Sequence, residues 1–374
     1  MPQKQTLTIL CIPINAVGHV NALAGTTRPF LQRGHRVVFL LESAYKGHLP
    51  DDFEEIIYSL KVDNFSKEDG TPGEDWALGL LNQSIMGPSS PEEKWPPMLR
   101  LFVESPEALS LMGQLNAHSQ TAIDSLKPDL LITDTGYLLP AIPHSGVPWI
   151  HHLSISPQLY VGCEKDQTEI KECPNSTPPG CSGLPFAGSR NDPKWRRMRA
   201  LQHRFRFNSI FNDHLEKVLG YPRYHQDQLF PNEDALLVVY GYPEELNYPE
   251  IRAKGSHWFN LEVFNARLHM GKKEVQLASN FLKEITGKHF FTNNLEGRWT
   301  GKWVYLSMGS MGSIDLALMK SILNAVSETT HKYIVSKGPR HAEYDLPPNC
   351  WGGRYLPQTT LLPLVDLVIT HGGK

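Results

Sequence analysis

His19 follows Gly18 just past an apolar run, Leu7 to Ile14, that reads as a buried first strand and closes in Asn15-Ala-Val-Gly-His-Val-Asn21. Histidine is a natural general base, because its ordinary pKa lies near neutrality and small shifts keep it unprotonated. With 16 histidines in the chain, a Gly-His turn alone decides little. Asp134 gives it weight: it ends the run Asp129-Leu-Leu-Ile-Thr-Asp134, a second strand of the same predicted sheet, and ligand chemistry in open α/β sheets collects at the C-terminal strand ends. The competing reading of Asp134 is a helix cap before Gly136. Near the other end of the chain, Ser307-Met-Gly309-Ser310 forms a turn after a strand and ahead of a helix. Such a turn offers backbone N–H groups and hydroxyls to a diphosphate, although any Rossmann turn would look similar. The stretch Trp351 to Gly373 adds a Tyr355-Leu-Pro-Gln358 corner, an apolar Leu361-Leu362 edge, a strand at Leu367-Val-Ile369, and then His371-Gly372-Gly373.

The elements that must position these residues follow a β-then-α rhythm. After the first turn, Val20, Leu23, Ala24, Phe30 and Leu31 share one side of a helix that closes at Gly34, with Pro29 expected to kink it or end it early. His35 to Leu41 is the second strand, completing a βαβ unit. Phe53 to Leu60 is a third strand. Met98 to Leu126 is a long helical region with a break at Pro106, and Val147 to Leu153 and Ala235 to Tyr240 are further strands. Lys61 to Pro97 reads as a polar insertion, and Ser156 to Asp192 as a loop rich in Pro, Gly and Ser. Lys194 to Phe207 reads as a basic, aromatic-studded helix, either an ion-paired solvated face or a contact with an anionic membrane surface. Trp258 to Lys273 lacks periodicity and falls where a linker is wanted. A second sheet then begins at Gly301 to Ser307, with a helix over Ile314 to Glu328 and a strand at Tyr333 to Ser336. The expected fold class is α/β, with two Rossmann-like domains facing across a cleft: 1–257, a linker at 258–275, and 276–374, the last one incomplete.

Taken together, the Tyr-Leu-Pro-Gln corner and the His-Gly-Gly some dozen residues later resemble the nucleotide-sugar signature of the UDP-glycosyltransferase family, and the likeness extends over nearly the whole chain. It implies the GT-B fold and inverting transfer of a sugar from a UDP-sugar to a hydroxyl of a small lipophilic acceptor, bound by the N-terminal domain. It makes His19 the catalytic base and Asp134 the partner of its second ring nitrogen. Ser307, Gly309, Ser310, His371, Gly372 and Gly373 fall to the diphosphate, while Tyr355 would stack on uracil and Gln358 would bond the ring or ribose. The family usually has Trp where this chain has Tyr355, and many members have His where it has Leu364. The family's sugar-binding acid-Gln pair lies beyond Lys374.

Composition bounds the alternatives. A chain of 374 residues with 40% hydrophobic residues suits two cores. A net charge of -3 gives no reason to expect a nucleic-acid partner. The first turn has one glycine where the dinucleotide fingerprint needs three, although Glu42 sits where a ribose-binding acid would. No metal-ligand spacing appears, so neither metal nor bound cofactor is expected, and the UDP-sugar acts as co-substrate. Five cysteines, none in a Cys-x-x-Cys pair, and the absence of a signal-peptide pattern point to free thiols and a cytoplasmic location, with an anchor beyond residue 374 left open. The rival readings are a nucleotide-sugar epimerase of similar architecture and an inactive fragment or acceptor-binding module.

Overall fold

The structure is a computed structural model that describes residues 6–61, 80, 82, 85, 89–155, 157, 200–201, 203–243, 245, 257–261 and 301–371. The chain divides into two compact units, Met1–Ser66 with Ser89–Leu268, and Lys67–Pro88 with His269–Lys374.

The first unit is built on seven parallel strands: β1 (Thr8–Pro13), β2 (Arg36–Glu42), β3 (Glu54–Tyr58), β4 (Leu130–Asp134), β5 (Trp149–Leu153), β6 (Leu237–Tyr240) and β7 (Trp258–Asn260). Their spatial order is β3-β2-β1-β4-β5-β6-β7. A parallel sheet needs both faces covered, which is why its strands read as continuous apolar runs rather than alternating ones. On one face Leu10, Ile12, Leu131, Trp149 and Leu153 share a core with residues of α2 (Pro91–Leu99) and α3 (Pro106–Leu126), among them Trp95, Leu99 and Met112. On the other, Ile9, Cys11, Phe39, Ile132 and Ile150 pack with Val20, Leu23 and Ala24 of α1 (Val17–Gln32).

Several sequence expectations shift. Pro29 does not end α1 early: the helix continues to Gln32, because a proline so near the C-terminus removes only one backbone bond before Gly34, at φ 85, closes the chain. Part of the supposed insertion is helical, since Ser90 and Glu93 form a capping box around Pro91 at the start of α2. A π turn, Arg100–Glu104, follows. The expected break lies at Ser105 and Pro106, where the Ser105 hydroxyl accepts from Ala108 N at 3.1 Å and restarts the helix as α3. Trp258–Asn260, read as the start of the linker, is instead the last strand of this sheet, pairing with β6. Three residues are too few for periodicity to reveal. The remainder of the 258–275 linker beyond Leu261, and the loop holding Cys163, Cys173 and Cys181, lie outside the described residues.

Of the basic stretch, 200–201 and 203–206 are helical, and the helix α4 (Ser209–Lys217) follows. Arg204 forms a two-pronged ion pair with Glu104, 2.8 Å at each contact, and burial pushes the Arg206 guanidinium down to about 10. The Arg204 side chain remains 57% exposed, and the Arg206 guanidinium lies 5.9 Å from the Phe207 ring centroid. Among the described residues no helix is long and apolar enough to cross a membrane.

The second unit has four parallel strands, β8 (Trp303–Ser307), β9 (Lys332–Ser336), β10 (Cys350–Gly353) and β11 (Leu367–Thr370), in the order β10-β9-β8-β11. After β8 come a one-turn helix α5 (Gly309–Gly312) and α6 (Leu316–Ser327), and a second one-turn helix α7 (Gln358–Leu361) precedes β11. Met319, Leu323 and Val326 of α6 cover one face of β8 and β9, and Leu361 covers the other with Tyr305 and Ile334. β10 escaped the sequence reading because Gly352 and Gly353 carry no strand signal. A Cβ at Gly352 would stand 2.0 Å from the Val335 carbonyl oxygen, so glycine is what lets β10 approach β9. The α/β class read from the sequence, with two parallel-sheet units, is the observed one.

Candidate active site

The first unit gathers a polar cluster at the C-terminal ends of β4 and β5. His19 stands in the first turn of α1, and Asp134 is the last residue of β4, paired in register with Pro13. The turn between β1 and α1 is fixed by Asn15, whose side chain donates to the Tyr58 hydroxyl oxygen and accepts from Glu42 N, while the Tyr45 hydroxyl donates to the Asn15 carbonyl at 2.9 Å. His19 Nδ1 lies 3.1 Å from Asp134 Oδ2 and 2.5 Å from Ser154 Oγ, just past β5. Ser154 N donates to the other carboxylate oxygen, Oδ1, at 3.4 Å. On β5, His152 Nδ1 approaches Asp134 Oδ2 at 3.5 Å, and its Nε2 lies 2.9 Å from Thr26 Oγ1 on α1. The side chains of Asp134 and His152 are fully buried, and that of His19 is 19% exposed. With these partners, the carboxylate is not acting as a helix cap.

Burial on its own would raise the Asp134 pKa. The charge of His19, its hydrogen bond at 3.1 Å and the close approach of His152 at 3.5 Å outweigh it and hold the carboxyl well below the usual carboxylate range. An anionic acceptor beside Nδ1 favours the tautomer that leaves Nε2 basic, and it stabilises the imidazolium formed when Nε2 takes a proton. His151, one residue from His152 and on the opposite face of β5, is lowered to about 4 by burial, against a hydrogen bond with Asn232 that raises it.

In the second unit, Ser307, Gly309, Tyr355 and His371 stand at or just past the C-terminal ends of its parallel strands. Ser307 ends β8 and is nearly buried, its hydroxyl accepting from Gly309 N at 3.3 Å. Gly309 has φ 64, and a Cβ there would fall 2.5 Å from His371 Cε1. The structure therefore brings Ser307, Gly309 and His371 together across the β8–β11 pair. Ser310 belongs to α5; its side chain, and Gly372 and Gly373, lie outside the described residues. Tyr355 follows β10, two strands from Ser307, half-buried with the Arg354 guanidinium 5.7 Å from its ring centroid. Gln358 opens α7 and is exposed.

Sequence reasoning missed Ser154, His152 and Thr26. The signal for the first two was present: His151-His152-Leu-Ser154 closes a strand beside β4, and the rule that drew attention to Asp134 applies to it equally. Among the described residues no group of three or more His, Cys, Asp or Glu is placed to hold a metal ion.

No sequence-family model matches the chain, and no characterised protein matches it by sequence. Solved structures do resemble it in fold. A glycotransferase of kitacinnamycin aligns at 16% identity with a TM-score of 0.55, covering 99% of this chain and 76% of its own. Arabidopsis thaliana UGT89C1 complexed with UDP aligns at 14% identity and TM-score 0.53, covering 99% and 76%. Medicago truncatula UGT71G1 complexed with UDP-glucose aligns at 12% and 0.53, covering 98% and 76%. What is shared at such identities is the fold, that of GT-B glycosyltransferases.

Proposed function

We propose that the protein is a UDP-glycosyltransferase that moves a sugar from a UDP-sugar to a hydroxyl of a small lipophilic acceptor with inversion at the anomeric carbon. The observation that carries the reading is the His19–Asp134 contact at 3.1 Å, at the C-terminal edge of the first sheet, where the Asp is buried and anionic. His19 Nε2 removes the acceptor's hydroxyl proton as the oxygen attacks the anomeric carbon. The bond from that carbon to the UDP oxygen breaks with its electron pair, and UDP departs. A single displacement inverts the centre. Asp134 keeps its charge throughout and stabilises the imidazolium. On the donor side Tyr355 offers a ring face to uracil, and Gln358 a hydrogen bond to the base or ribose. Ser307, Gly309, Ser310, His371, Gly372 and Gly373 are assigned to the diphosphate on the sequence resemblance. The lipophilic acceptor class rests on the sequence resemblance, and the likeness of fold supports the transfer itself.

The test is UDP release from UDP-glucose and UDP-glucuronic acid with a panel of phenolic and sterol-like acceptors. Acceptor-dependent release is expected, and His19→Ala is expected to lower turnover by roughly 10²–10⁴ with little change in donor KM. UDP-sugar interconversion without an acceptor would replace this reading with an epimerase. Binding of acceptor without any release of UDP would leave only a binding module.

A further inference from the structure

The polar chain that starts at His19 does not stop at Asp134. Oδ2 of Asp134 meets two imidazoles, His19 Nδ1 at 3.1 Å and His152 Nδ1 at 3.5 Å, while Oδ1 accepts from Ser154 N. His152 is anchored at its far nitrogen by Thr26 Oγ1, 2.9 Å from Nε2, and Thr26 Oγ1 also lies 3.1 Å from the Ala22 carbonyl oxygen. Thr26 has one hydroxyl proton and two acceptors for it. If the proton goes to His152 Nε2, that nitrogen is bare and the ring's own proton sits on Nδ1, facing Asp134. If it goes to Ala22, Nε2 must donate to Thr26. A neutral ring would then press a lone pair on Nδ1 against a buried carboxylate, and only a second proton on Nδ1 relieves this. Both favourable arrangements place a proton on Nδ1.

We infer that His152 is a positioning residue for the base, donating from Nδ1 to Asp134 and, with Ser154 N, fixing the carboxylate in the plane from which it serves His19. The inference rests on the reading of His19 as base. The groups acting on Asp134 come from every element around it. His19 reaches it from α1, and His152 and the Ser154 backbone from β5 and its end; the Asp134 charge in turn acts on His151, which burial keeps neutral on the opposite face of β5. Without His152, Oδ2 keeps the His19 contact but loses the buried imidazole 3.5 Å away, and with it the neighbour that opposes rotation of the carboxylate toward Ser154. The consequence falls on the chemical step, not on donor binding, which belongs to the second unit.

Two measurements test this. Ring-nitrogen NMR of the whole chain labelled with ¹⁵N-histidine, with the His152 signal identified by its loss in His152→Phe, is expected to show a proton bonded to His152 Nδ1; a bare Nδ1 overturns the proposal. In acceptor-dependent UDP release from UDP-glucose, His152→Phe is expected to lower kcat by about ten- to hundredfold with KM for UDP-glucose unchanged. His152→Asn, whose amide nitrogen stands where Nδ1 stood, is expected to recover most of it. Unchanged kcat in His152→Phe, or no recovery in His152→Asn, overturns it as well. If the unsubstituted protein releases no UDP, the reading of His19 as base fails, while the ring-nitrogen spectrum still decides where the His152 proton lies.

Discussion

At the end of β4 the Asp134 carboxylate is fully buried and engaged by residues of α1 and β5, whereas at the ends of β8, β10 and β11 the candidate residues Gln358 and His371 are exposed and Tyr355 is half-buried. The supporting sheets differ in the same way: β4 and β5 lie inside a sheet cored on both faces, while β11 comes last in the second sheet's order among the described residues, with Leu367 53% exposed. The first site is pre-arranged by side chains packed in a low-dielectric interior, where a charged acceptor holds imidazoles firmly. The second is framed by backbone, through glycines that let Gly309 meet His371 and β10 meet β9; Ser307 is buried in it, while Gln358 and His371 are exposed. Interior electrostatics should therefore govern the first site, and glycine geometry the second.

The largest expected separation is with pH. His151, buried beside the first site, is held to about 4 in the folded protein against an ordinary 6.5. Between those values the unfolded chain takes up a proton that the native state refuses, so stability is full above about pH 6.5 and falls as pH drops toward 4. At 1.36 kcal/mol per unit, that amounts to about 3 kcal/mol. Urea unfolding across this range, repeated with His151→Asn, checks it: the variant should show a flatter dependence, and an equal slope would remove His151 as the cause. Asp134, whose pKa is lowered, adds a loss of the same sign at still lower pH.

Next comes Gly309→Ala, which forces a side chain into a left-handed backbone and against His371. It should cost about 1–2 kcal/mol of stability and weaken UDP binding, read by calorimetry; unchanged affinity would detach the Gly309–His371 contact from the donor. Tyr355→Ala should weaken UDP binding by about 0.5–1.5 kcal/mol beyond the area lost if the ring stacks on uracil. The smallest effect is the counterpart in the first unit. A Cβ at Gly18 meets nothing within 4 Å, so Gly18→Ala in the first turn of α1 should be neutral or stabilising by up to about 1 kcal/mol. A marked loss there would show that the first site also depends on a glycine.

How much of this was legible in the sequence follows the same division. The strands of the first sheet announced themselves as apolar runs, and Asp134 stood out because a polar residue ended one of them. His152 was open to the same strand-end rule, but which carboxylate it would meet across the sheet was not written in its neighbours along the chain. β7 was too short to read, and β10 was hidden by the glycines that let it pair. The Tyr355-Leu-Pro-Gln358 corner and His371 were legible as a motif. That His371 would touch Gly309 was not, because the contact joins strands adjacent in space but sixty residues apart in sequence, by roughly that count along the chain.

His19 and Asp134 are expected to act as one catalytic unit, and a double-mutant cycle on kcat/KM for acceptor-dependent UDP release tests this most directly. His19→Ala and Asp134→Asn should each lower the rate, and Asp134→Asn introduced into the His19→Ala protein should cost little or nothing further, since the carboxylate then has no base to serve. Losses that multiply, with Asp134→Asn as damaging in the absence of His19 as in its presence, would contradict the account.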